Sequence, residues 1–205
     1  GSYATNDSGE KNVLLGSSIT NELGDQNVLM GSKLRNAGGS KNILIGNGPL
    51  GDDGVPIPAK GLGIENILIG NEATSVAGDN VTAIGSSLSN ESGQTNVLLG
   101  KDLTNTSGSN NVLIGKGIVD APQNVDGSKN ILIGYENTKA QGDDVVLIGS
   151  VNKNPAAEDS YSNVLMGKNN LNTAGYENLL LGSNGVNTEG NENVLMGTKN
   201  KNITG

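Results

Sequence analysis

The chain has 205 residues, a formal charge of −8 and no Cys, His, Trp or Phe, with only 2% aromatic residues and 32 glycines. This composition excludes an aromatic-rich globular core, a disulfide framework, thiol or imidazole catalysis and a sequence-independent grip on nucleic acid or anionic lipid. No run approaches the ~20 apolar residues of a membrane helix, and Gly1-Ser2 reads as an expression scar within an N-terminal flank, residues 1–8.

From residue 9 onward the same short element recurs: a mostly aliphatic triplet closed by glycine, as in Val13-Leu14-Leu15-Gly16 and Ile43-Leu44-Ile45-Gly46. These runs are too short and too glycine-bounded for helices and favour β-branched residues, so each predicts a strand. The closing glycines are Gly16, Gly31, Gly46, Gly70, Gly85, Gly100, Gly115, Gly134, Gly149, Gly167, Gly182 and Gly197, with eight of eleven gaps equal to 15 residues. A second glycine follows eight residues later in most units (Gly24, Gly39, Gly78, Gly93, Gly108, Gly142, Gly175, Gly190, Gly205), which predicts two corners per rung. A period of this kind defines a solenoid: at about 3.3 Å per residue, one repeat closes a flattened roll roughly 50 Å in perimeter.

Alternation along each triplet sends its outer and middle residues to opposite faces. The expectation is that Val13 and Leu15, Ile43 and Ile45, or Val112 and Ile114 fill the roll. The middle column would then point outward: Leu14, Leu29, Leu44, Leu68, Ala83, Leu98, Leu113, Leu132, Leu147, Leu165, Leu180 and Leu195. Stacked, it would form an apolar ridge of roughly 400 Å² that needs a partner. The other half-rung is expected to close a thin roll with Ile19, Leu34, Leu88 and Leu103, and later with Leu171 and Val186. Asparagine columns before the triplet (Asn12, Asn27, Asn42 and equivalents) and five after the glycine (Asn21, Asn36, Asn90 and equivalents) predict structural amide ladders.

A rung written as Asn, aliphatic residues and Gly at this period, with a copy such as Asn80-Val81-Thr82-Ala83-Ile84-Gly85, resembles the YadA-like head of trimeric autotransporter adhesins over residues 9–205. Most rungs carry Leu where that family has a small Ala, and Asn stands one place closer to the glycine. The resemblance implies a left-handed parallel β-roll, a homotrimer, and a receptor-binding tip anchored in a bacterial outer membrane by a C-terminal region absent here. It further implies a host protein as partner, either extracellular matrix (collagen, fibronectin, laminin) or a carcinoembryonic-antigen-type receptor. Neither enzyme activity, nor a cofactor, metal or nucleic-acid partner, nor direct membrane insertion is expected. A purely structural fibre segment is the alternative function; an ice-binding face would need a more regular array than Thr20, Thr74, Thr104 and Thr138 provide.

Three insertions break the period, at 47–64, 116–129 and 150–162, and insertions in a solenoid project as loops. The longest holds Leu50, Asp52, Asp53, Val55, Pro56, Ile57 and Lys60, a proline-stiffened apolar stretch that is the first candidate receptor contact. Tyr161 and Tyr176, each six residues before a rung glycine, are the second and should stack on adjacent rungs; Tyr135 is weaker. The doublets Asp52-Asp53 and Asp143-Asp144 read as solvated turns.

Overall fold

The computed structural model describes residues 3–48, 63–117, 124, 126–155 and 161–203. Strands are the only regular elements among them, and the chain forms a parallel β-solenoid of about twelve turns. It divides into two compact units, Gly1–Lys101 and Asp102–Gly205. In the first, triplet strands Val13–Ser17, Val28–Ser32, Ile43–Asn47, Ile67–Ala77 and Thr82–Ser92 stack in order. In the second, Val112–Lys116, Ile131–Tyr135, Val146–Ser150, Val164–Lys168, Leu179–Ser183 and Val194–Thr198 do the same. Short strands of the other half-rung form narrow second sheets, such as Thr138–Lys139, Lys153–Asn154, Leu171–Asn172, Val186–Asn187 and Lys201–Asn202.

Register is strict: Gly16 pairs with Gly31, Gly31 with Gly46, and Gly46 with Gly70, so the insertion between the last two leaves the ladder unshifted. The same holds where Gly115 meets Gly134 and Gly149 meets Gly167. The glycine column is required by space as well as by backbone angle. Gly167 has φ +123°, and a Cβ there would lie 1.8 Å from the carbonyl oxygen of Gly182 on the next rung. Glycine is not the only left-handed residue, however. Non-glycine residues such as Gln26 (60°), Lys33 (55°) and Asn184 (56°) also stand at positive φ, and these sharpen corners that the glycine spacing alone located.

The direction of the triplets is the reverse of the expectation. Leu29, Leu44, Leu68, Ala83, Leu98, Leu113, Leu132, Leu147, Leu165 and Leu180 are all buried inside the roll; Leu14 and Leu195 share the column and are half-buried. None of the twelve is an outward ridge. The physical cause lies one step earlier, where the residue before the triplet, asparagine in ten of the twelve rungs and valine at Val81 and Val145, is itself inward. Alternation then fixes the middle residue inward and turns its two neighbours out, since a one-residue shift of phase exchanges the faces of a strand.

Asparagine governs the phase because the core is built as much from amides as from hydrocarbon: among the described residues nineteen asparagines are buried, against sixteen apolar residues. In the first column Asn12 Oδ1 accepts from the Asn27 backbone N–H at 2.8 Å, and Asn27 Oδ1 from that of Asn42 at 2.9 Å. Its Nδ2 crosses the roll, Asn27 donating to Asn21 Oδ1 at 3.1 Å and to the Gly39 carbonyl at 3.1 Å. In the second column, amides bond directly up the stack, Asn36 to Asn21 at 2.7 Å and Asn187 to Asn172 at 2.7 Å. Buried polar groups at this density are tolerable only because almost all have partners.

The second half-rung changes along the chain. Ile19, Leu34, Leu88 and Leu103 are buried, as expected, but from residue 137 onward Asn137, Asn152 and Asn170 take their inward place. Asn137 Oδ1 accepts from the Asn152 backbone at 3.0 Å, and Asn152 Oδ1 from that of Asn170 at 3.1 Å, making a third ladder. Leu171 and Val186, one place further on, therefore face outward and do not close the roll.

Candidate functional site

The outward phase of the triplets leaves two aliphatic columns on one sheet face of each unit. In the first unit these include Val28, Ile43 and Ile67 beside Met30, Ile45 and Ile69; in the second, Ile131, Val146 and Val164 beside Ile133, Ile148 and Met166. Most are half-buried against one another, while Ile84 and Met166 remain about 40% exposed (41% and 40%). Paired aliphatic side chains on five rungs of the first unit, where Thr82 stands beside Ile84 on the remaining one, and on six of the second amount to an apolar surface on the order of 500 Å² per unit, at the upper end of what an isolated soluble protein exposes. The sequence signal for this face was the parity of asparagine, not the identity of the leucines.

Tyr161 and Tyr176 stand on adjacent rungs as expected, their rings parallel (0°) with centroids 4.8 Å apart. Offset or parallel stacking at this separation is an ordinary consequence of in-register repetition. Tyr161 is 41% exposed and closes one end of an open concavity of about 690 Å³, which Asp126, Asp143, Asp144 and Gln141 also line. The carboxylates there are engaged with local backbone, Asp143 Oδ1 accepting from Ser128 N–H at 2.6 Å and Asp126 Oδ1 from Gly127 N–H at 2.8 Å. Asp143-Asp144 is thus a turn, in keeping with the sequence reading. Tyr135, on a different column, lies under the Lys116 ammonium, 5.3 Å from its ring centre. The candidate contact residues Leu50, Asp52, Asp53, Val55, Pro56, Ile57 and Lys60 lie outside the described residues.

One core position was not anticipated. Lys139 replaces asparagine in the second column and is 1% exposed, its Nζ donating to Asn124 Oδ1 at 3.0 Å and to the Asp126 carbonyl. Burial pushes its pKa down to about 8, partly opposed by the charges of Asp143 and Asp126. Across the same rung Val145 stands where the first column has asparagine. Ser75 and Val81 repeat this double exchange in the first unit. The rule follows from the cross-roll bond: the first-column amide donates to the second-column Oδ1, and where serine or lysine supplies no such oxygen, valine replaces the donor.

Among the described residues no group of three Asp, Glu, His or Cys side chains could hold a metal ion, and no helix is long and apolar enough to cross a membrane. Comparison with known proteins finds no matching family model, no matching characterised protein and no matching solved structure.

Proposed function

We propose that this chain is the receptor-binding head of a bacterial surface adhesin, working as a homotrimer of left-handed β-rolls at the outer membrane. One observation carries the reading: two in-register columns of outward aliphatic side chains on a sheet whose interior is already filled. An isolated chain would leave them in water, and burial of apolar area returns about 25 cal/mol per Å², so sister copies covering this face are strongly favoured. The residues that seal the trimer are the outer pair of each triplet, Ile131 with Ile133 and Val146 with Ile148 among them, in place of the central leucines. Handedness, the number three and the membrane anchor come from the resemblance of the repeat to YadA-like heads.

The ligand of such a head is a host matrix or cell-surface protein, and the insertion at 47–64 with the Tyr161–Tyr176 stack supplies its candidate contacts. Repetitive inward amides and glycines leave no catalytic constellation among the described residues, which favours binding over turnover. The experiment is a pull-down of the purified protein against a panel of host surface and matrix proteins, repeated after deletion of residues 52–60, which restores the 15-residue spacing from Gly46 to Gly70. Saturable binding that the deletion abolishes supports the assignment; binding that survives it moves the contact elsewhere. No binding to any host protein or cell, from a properly assembled oligomer, favours the structural fibre segment instead.

A further inference from the structure

The net charge of −8 conceals a local reversal of sign. In the last four rungs, the outward side of the second sheet and the corner leading to it carry Lys153, Lys168, Lys199 and Lys201, all exposed. No carboxylate falls on this side from Ser150 to Asn154, Lys168 to Asn172, Ser183 to Asn187 or Thr198 to Asn202; the nearest in the corner column is Glu136, one rung earlier. The first unit differs, since its Arg35 is paired with Glu22 at 2.5 Å. Among the described residues no ion pair or hydrogen bond engages the four ammonium groups.

Register orders these side chains. Lys153 pairs with Leu171, Leu171 with Val186, and Val186 with Lys201, giving a column that reads cation, apolar, apolar, cation over three rung steps, roughly 14 Å. Beside it, Val151, Asn169 and Asn184 form the corner, with Asn169 Nδ2 donating to Asn184 Oδ1 at 3.3 Å. Between the two columns runs a concavity of about 330 Å³. A second, independent feature marks the same place. Val151 has φ +57°, a left-handed conformation that a β-branched residue adopts only at a cost, and every other described residue at this corner position is Ser, Lys, Glu, Asp, Asn or Gly. The strain keeps an apolar wall on the groove where a polar residue would fold more easily.

We propose that this groove binds an anionic polysaccharide, a sulfated or carboxylated glycan lying along the stack. Its anionic groups meet the lysines at the two ends and at the corner, its C–H faces rest on Val151, Leu171 and Val186, and its hydroxyls reach the Asn169 and Asn184 amides. A peptide fits less well because the sheet face offers it no backbone partners: Lys153, Leu171 and Val186 N–H groups are already spent on Asn170, Gly185 and Asn200 carbonyls at 2.8 Å. Nucleic acid would find no aromatic ring to stack on within the groove. This contact is separate from the protein receptor proposed above, and its test does not involve that receptor.

The test uses the intact chain and immobilised heparin as probe, with binding followed against salt. The expected result is retention at physiological ionic strength. The double variant Lys153→Gln/Lys201→Gln should bind about tenfold or more weakly, with a salt slope reduced by about two counterions. Control Lys33→Gln/Lys129→Gln should bind like the parent. Val151→Asn relieves the corner strain, so it should unfold at a higher temperature and yet bind less tightly, a combination that loss of fold cannot produce. Equal binding by parent and Lys153→Gln/Lys201→Gln overturns the proposal, as does no retention of the parent, equal retention on an uncharged dextran, or tighter binding to an acidic peptide or duplex DNA of matched charge.

Discussion

Replacing Lys139 and Val145 singly and together tests the amide-ladder account of the core. Val145→Asn alone inserts an amide whose Nδ2 faces the Lys139 ammonium, where other first-column amides find an Oδ1, as Asn111 does on Asn105 at 3.2 Å. A buried donor without its acceptor costs about 1–3 kcal/mol, and the lost valine adds roughly 1 kcal/mol. Lys139→Asn alone removes a desolvated cation and restores the stack onto Asn124, so it should be neutral or stabilising by about 1 kcal/mol. In the double variant the amide introduced at position 145 donates to the one introduced at position 139, so the cycle should show a favourable coupling of about 1–3 kcal/mol. Urea denaturation with circular dichroism supplies the four stabilities. Additivity within about 0.5 kcal/mol would falsify the rule that the two columns are chosen as pairs.

Further outcomes follow from the same geometry. Leu132→Ala, in the filled interior, should destabilise by about 2–5 kcal/mol without shifting the oligomer mass, whereas Ile133→Lys, one residue away, should dissociate the oligomer and leave strand content unchanged by circular dichroism. Gly167→Ala drives a Cβ into the Gly182 carbonyl and should cost about 2–4 kcal/mol, read as a fall in melting temperature. Lys139 gives a pH signature. Its folded pKa of about 8 lies below the ordinary 10.5, so the unfolded chain binds more protons between these values. Stability should therefore rise from pH 8 to 10.5, the burial penalty being complete below that window and gone above it. Asp143 and Asp126 are the charges facing this ammonium. The rise should vanish in Lys139→Asn, as denaturation midpoints across that range would show.

The glycine period made the solenoid, its parallel register and the Tyr161–Tyr176 stack legible from sequence, because each depends only on what repeats. The phase of the triplets was harder, since Val-Leu-Ile is apolar at every position and hydropathy does not say which member turns inward. The asparagine before it does: its amide must be satisfied by the neighbouring rung, and Asn27, Leu29 and Gly31 share one parity. Leu171 and Val186 were misplaced for a related reason, as the switch from Leu103 to Asn137 and Asn152 puts a polar residue inward where an aliphatic one is usual. The lysine groove was hidden by the overall acidity, because Lys153 and Lys201 are far apart in sequence and meet in one column only through register. Lys139 carried no sequence mark beyond standing in an asparagine column.

The outward aliphatic columns are the centre of the account, and sedimentation equilibrium of the purified chain tests them most directly. A trimer mass that persists to micromolar dilution, and that falls to a single folded chain when Ile133 and Ile148 are changed to lysine, is the predicted result. A stable monomer of full strand content, with those aliphatic side chains in water, would contradict it.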